Sequence, residues 1–103
     1  MWNIEAHTGY KPITTFWDDF GIAEAFGADA VRDTYERSKR SFKDDVKYMT
    51  ELVMVLNWRL WMHYENGKDV FAKLYDELWR EADEFCCNHF TGDDLTYYYL
   101  TTD

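Results

Sequence analysis

From Leu52 to Met62 the chain runs for eleven residues with only Asn57 and Arg59 interrupting apolar side chains. Few folds accommodate such a run. Its flanks fix the period: Val46, Met49, Val53, Leu56 and Leu60 follow steps of three, four, three and four, which lines them along one side of a 3.6-residue helix. Ser41 followed by Asp44 resembles a capping box with Asp in place of Glu, and Asn66-Gly67 supplies a residue tolerant of positive φ at the far end. The spacing therefore predicts one long central helix over about 42–66.

The other side of that helix changes character along its length. Lys47, Thr50 and Glu51 are solvated types, whereas Met54, Trp58 and Trp61 a turn later are not. The first half needs one neighbour; the second needs cover all round. Two indoles left in water would expose apolar surface on the order of a few hundred Å², a scale at which patches on monomers usually have a purpose. Either the ends of the chain cover them or another molecule does.

The remaining segments read as shorter helices around this rod. Trp2, Ile4 and Ala6 alternate with polar residues, so the amino terminus is expected to be a short extended segment laid across the tryptophan end. After the breakers Gly9 and Pro12, Thr14 or Thr15 is placed to cap a helix with Phe16, Phe20 and Ala23 on one face, flanked by Trp17 and Phe26 and ended by Gly27. Asp29 to about Lys39 reads as a surface helix with Ala30, Val31, Thr34, Tyr35 and Arg37 or Ser38 turned inward. From Lys68 to about His89, Phe71, Leu74, Leu78, Ala82, Phe85 and His89 mark the apolar stripe of a long helix, antiparallel to the central one because Asn66-Gly67 is a short link. Thr91-Gly92-Asp93-Asp94 then repeats the capping signal, and Leu95–Leu100 reads as a short last helix or an ordered tail. The fold class is mainly α: a compact four- to five-helix bundle about the central helix.

A chain of 103 residues with 47% hydrophobic residues and one proline is one domain able to bury a core without metal or disulfide. Adjacent Cys86 and Cys87 cannot form an ordinary bridge with each other, because consecutive Cα atoms lie about 3.8 Å apart. That suits a reducing compartment, and with no basic-then-apolar leader ahead of Trp2 the expectation is a cytoplasmic protein. The longest apolar run is too short to cross a membrane, so no membrane partner is expected. The net charge of −9 is uneven: −4 over residues 1–31, +2 over 32–64 and −7 over 65–103. An acidic surface argues against direct nucleic-acid binding.

Chemistry leaves little trace. Glu84, Cys86, Cys87 and His89 are crowded, yet successive helical residues diverge by about 100°, so at most Cys86 and His89 share a side. Neither a metal nor another cofactor is expected. Both cysteines lie near a helix end among acids, where dipole and charge oppose a thiolate, which disfavours nucleophilic catalysis. No phosphate-cradling or nucleophile-elbow motif occurs, and the chain does not read as an enzyme. The cations Arg37, Lys39, Arg40 and Lys43 around Phe42 read as favourable charge at a helix carboxyl terminus rather than a phosphate contact.

Surfaces remain. Trp58, Trp61, Tyr97, Tyr98 and Tyr99 are of the types that dominate binding hot spots, and suggest a protein partner or self-association unless the tyrosine tail folds back onto the tryptophans. The alternative uses Asp76, Glu77, Glu81, Asp83 and Glu84 as an acidic face that imitates DNA and inhibits a host nucleic-acid-binding or defence protein.

The stretches His7-Thr8-Gly9-Tyr10, Thr15-Phe16-Trp17-Asp18-Asp19-Phe20, Tyr48 to Asn57 and Leu74-Tyr75-Asp76-Glu77-Leu78-Trp79 resemble a group of small uncharacterised proteins of phages and integrating elements in gut Firmicutes. The resemblance spans most of the chain but carries no motif tied to a chemistry. It implies an accessory or regulatory protein of a mobile element that acts by binding.

Overall fold

The computed structural model describes residues 14–102, so the expected extended segment around Trp2 lies outside the described residues. Among the described residues five helices follow one another: α1 (Thr14–Phe26), α2 (Ala28–Phe42), α3 (Val46–Glu65), α4 (Asp69–His89) and α5 (Gly92–Thr102). Among the described residues there is no strand. The mainly α bundle about a long third helix is as the periodicity predicts.

α3 and α4 form the largest interface, and their direction follows from the contacts at both ends. His63 packs on Phe71 and Tyr75 beside the turn, while Asp44, just before α3, meets His89 at the end of α4 across 2.8 Å. The pair is an antiparallel hairpin closed by Gly67, whose φ of 74° is comfortable only without a Cβ. α1 and α2 form a second pair, hinged at Gly27 with φ of 117°, which lies against the hairpin. α5 folds back across α3.

The core is continuous through all five helices. Phe16, Phe20 and Ala23 of α1, Val31 and Tyr35 of α2, Met49, Leu52, Val53 and Leu56 of α3, Tyr75, Leu78, Ala82 and Cys86 of α4 and Tyr98 of α5 are buried in one cluster. Aromatic edges knit its margins: Phe16 meets Phe42 edge-on at 5.6 Å, and Phe42 stacks on Tyr48 at 4.6 Å. Phe42 thus packs the α2–α3 corner.

Three expectations need correction. The central helix starts at Val46, four residues later than predicted, because Asp45 and not Ser41 caps it: its side chain accepts from the Lys47 and Tyr48 backbone N–H groups. Ser41 and Phe42 are the last turn of α2. Second, Thr50 and Glu51 are not solvated but about 1% exposed, since α5 covers that side of α3. Thr50 spends its hydroxyl on the Val46 carbonyl at 2.6 Å, and Tyr97 lies near enough to Glu51 to feel its charge. Third, the stripe of α4 is rotated. Tyr75, Leu78, Ala82 and Cys86 form its deepest row, with Ala72 and Leu74 also buried; Phe71 and Phe85 are half-buried and His89 is exposed. Leu74, Leu78 and Ala82 are buried as predicted, and Tyr75 and Cys86 join them where the predicted stripe has Phe71, Phe85 and His89.

Candidate functional site

The aromatic residues singled out from the sequence are partly brought together. Trp58 and Trp61 are 36% and 55% exposed, on the second half of α3. With Val53, Met54 and Asn57 they form one wall of a depression of about 600 Å³, closed by Trp79, Asp83 and Cys87 of α4 and by Tyr99, Thr101 and Thr102 of α5. On its other side Trp61 also lines a second depression of about 520 Å³ with Leu60, Tyr64, Asp69, Ala72, Lys73, Asp76 and Arg80. Trp61 meets Tyr64 edge-on at 5.7 Å, so the two rings stand as a ridge between hollows. Trp79, absent from the sequence-based set, belongs to this surface.

The tyrosine run does not act as one patch. Three consecutive helical residues point about 100° apart, and here they divide. Tyr98 is fully buried and donates to Asp83 Oδ1 at 2.5 Å, with burial and then the Asp83 bond pushing its ionisation upward. Tyr97 is half-buried and Tyr99 alone lines the groove. The tail therefore folds back beside the tryptophans without hiding Trp61.

The acidic residues are largely committed within the molecule. Asp76 binds Arg80 at 3.1 Å, Glu77 binds Arg32 at 2.8 Å and Glu81 binds Lys39 at 3.2 Å. Lys39 also sits 4.9 Å from the centre of the Phe85 ring, so the basic end of α2 clamps α4. Glu84 borders a shallow hollow with Asn88 and His89. Cys86 is buried, and burial followed by the charge of Asp83 pushes its thiol up to about 12. Among the described residues no group of three or more His, Cys, Asp or Glu side chains is placed to hold a metal ion. Nor is any helix long and apolar enough to cross a membrane.

A second constellation lies outside the predicted set. Glu24 of α1 enters the hairpin, where its Oε2 accepts from Arg59 Nε at 2.7 Å and from the Tyr75 hydroxyl at 2.5 Å. His63 Nε2 lies 2.9 Å from the other oxygen, Oε1, but the ring is angled so that neither nitrogen makes a well-directed hydrogen bond. His63 is stacked at 5° on Tyr75, and the Arg59 guanidinium lies 4.4 Å over the Trp17 ring. Burial opposes the charge on Glu24, yet the bonds from Arg59 and Tyr75, with His63 close by, outweigh it and hold the carboxyl below its ordinary range. Burial likewise opposes the charge on Arg59, and Glu24 reverses the balance upward. Burial first, then Glu24, pushes the Tyr75 hydroxyl up. A signal did exist: Leu52, Leu56, Arg59 and His63 continue one helical row, so two potential cations stand on a buried seam and require an acid. Comparisons with protein families, curated proteins and solved structures find no match.

Proposed function

We propose that the chain is a small cytoplasmic protein-interaction module whose contact surface is the aromatic ridge and groove along the second half of α3. The observation that carries this reading is Trp61, more than half exposed and forming a shared wall between two adjoining hollows. Large, stiff aromatic anchors beside concave surface are the usual make-up of a binding hot spot. A role as an accessory or regulatory protein of a mobile element is proposed on the sequence resemblance alone. The alternative, an acidic imitation of DNA, is weakened by the pairing of Asp76, Glu77 and Glu81 with cations. The test is affinity capture from bacterial lysate with a Trp58→Ala, Trp61→Ala double variant as control, alongside light scattering for self-association. Capture or dimerisation that the double variant loses is the expected result. A monomer that captures the same proteins with and without the indoles overturns the reading.

A further inference from the structure

A third depression, of about 730 Å³, runs between α1 and α2 and shares no residue with the two beside Trp61. The two helices are antiparallel, since Phe16 near the start of α1 meets Phe42 at the end of α2. The hollow therefore has a hinge end, beside Gly27, and an open end. At the hinge end stand Ile22, 61% exposed, and Phe26, which at 81% is the most exposed large apolar side chain among the described residues. The open end is recessed instead: Phe16 is buried there, and Phe42 and Tyr48 are half-buried.

The charges are ordered in the same direction. Steps of three and four place Asp29, Asp33, Arg37 and Arg40 on one exposed strip of α2, of which Asp33 and Arg37 line the hollow. The acids lie toward the hinge and the cations toward the open end. Asp33 and Arg37 pair with each other at 3.0 Å, while Asp29 and Arg40 have no ion-pair partner among the described residues. The other two cations of the helix, Arg32 and Lys39, are committed to Glu77 and Glu81 of α4. A strip that runs from acid to base matches a copy of itself turned end to end.

We propose that this face binds a second copy of the chain about a two-fold axis. Ile22 and Phe26 of each copy enter the open end of the other's hollow, and Asp29 of each faces Arg40 of the other. A two-fold contact makes every pairing twice, because residue i meets j and j meets i. The occupant is a second copy because the strip is complementary to itself, and because charge here is far nearer balance than elsewhere. α1 and α2 carry four cations against six acids, whereas residues 65–103 carry −7, so two copies meeting through α4 and α5 would set like charges together. The proposal does not rest on the aromatic groove.

Sedimentation equilibrium of the full chain between roughly 1 µM and 1 mM tests it, and a concentration-dependent dimer is expected. Phe26→Asp, at an exposed position, is expected to raise the dimer Kd by about thirtyfold or more with an unchanged circular dichroism spectrum. Asp29→Arg and Arg40→Asp are each expected to raise it by about fivefold or more, because both symmetry-related contacts become repulsive. An equimolar mixture of those two variants again sets opposite charges across both contacts, and is expected to form a mixed dimer within about twofold of the original strength. These charge variants decide the matter if Phe26→Asp does not fold. The Trp58→Ala, Trp61→Ala variant is expected to dimerise normally, which separates a failure here from a failure of the aromatic groove. A monomer throughout, a dimer indifferent to Phe26→Asp, a dimer lost with the indoles, or charge variants that do not recover on mixing overturns the proposal.

Discussion

At the residue scale, the Glu24–Arg59 pair decides more than any other two side chains. Deleting one partner strands the other in the interior, so Glu24→Ala is expected to cost about 3 kcal/mol or more in urea unfolding, whereas Tyr75→Phe, which removes one hydroxyl donor, costs about 1.5 kcal/mol. The pH sign follows from the direction of the shift. Glu24 is held below the ordinary value of 4.5, so its stabilisation is complete above that value and is lost as pH falls through the lower folded value. Tyr35, Tyr75 and Tyr98 behave oppositely: burial raises each above the ordinary 10.0, so the unfolded chain ionises first and stability falls as pH climbs past about 10. A urea midpoint series from acid to alkali should show both flanks, and Tyr98→Phe should soften the alkaline one. Cys86, with its thiol pushed up to about 12 and its side chain buried, should be alkylated near pH 8 far more slowly in the native protein than in urea.

Helix by helix, most of the architecture was legible because it is written in periodicity. The row Phe16, Phe20 and Ala23 is buried as the spacing predicts, and so are Val31, Thr34 and Tyr35. What failed were positions where polarity and burial part company. Glu51 and Thr50 read as surface because nothing local says that α5 returns over them. Arg59 read as an interruption of an apolar run, and its partners Glu24 and Tyr75 lie on other helices at distances along the chain that no pattern reports. The start of α3 differs for a smaller reason: the spacing of Ser41 and Asp44 reads as a capping box, whereas Asp45, four residues after Ser41, is the cap. Asp45→Ala is accordingly expected to lower stability by about 1 kcal/mol, while Ser41→Ala stays within about 0.5 kcal/mol. Far-ultraviolet melting of the two variants separates these outcomes.

For the molecule as a whole, the candidate surface was half visible in advance. Trp58, Trp61 and Tyr99 converge on one groove, while Tyr98 is spent on the core and Trp79 joins from a helix where it was not sought. A partially exposed residue and a buried one should answer differently to truncation. Trp61→Ala is expected to change unfolding free energy by less than about 1 kcal/mol, whereas Phe20→Ala, which empties a fully buried site, should cost about 3–5 kcal/mol.

The layout of the bundle also bears on the route by which it forms. Neighbouring helices along the chain, α1 with α2 and α3 with α4, make the two largest interfaces, so most of the structure assembles from local encounters and should do so rapidly. The bonds from Glu24 to Arg59 and Tyr75 join residues 35 and 51 positions apart, and such closures come after the hairpins have met. Stopped-flow kinetics on Glu24→Gln should then find the refolding limb nearly unmoved and the unfolding limb accelerated, the signature of a lock that engages last and whose loss shortens the lifetime of the native state rather than delaying its birth.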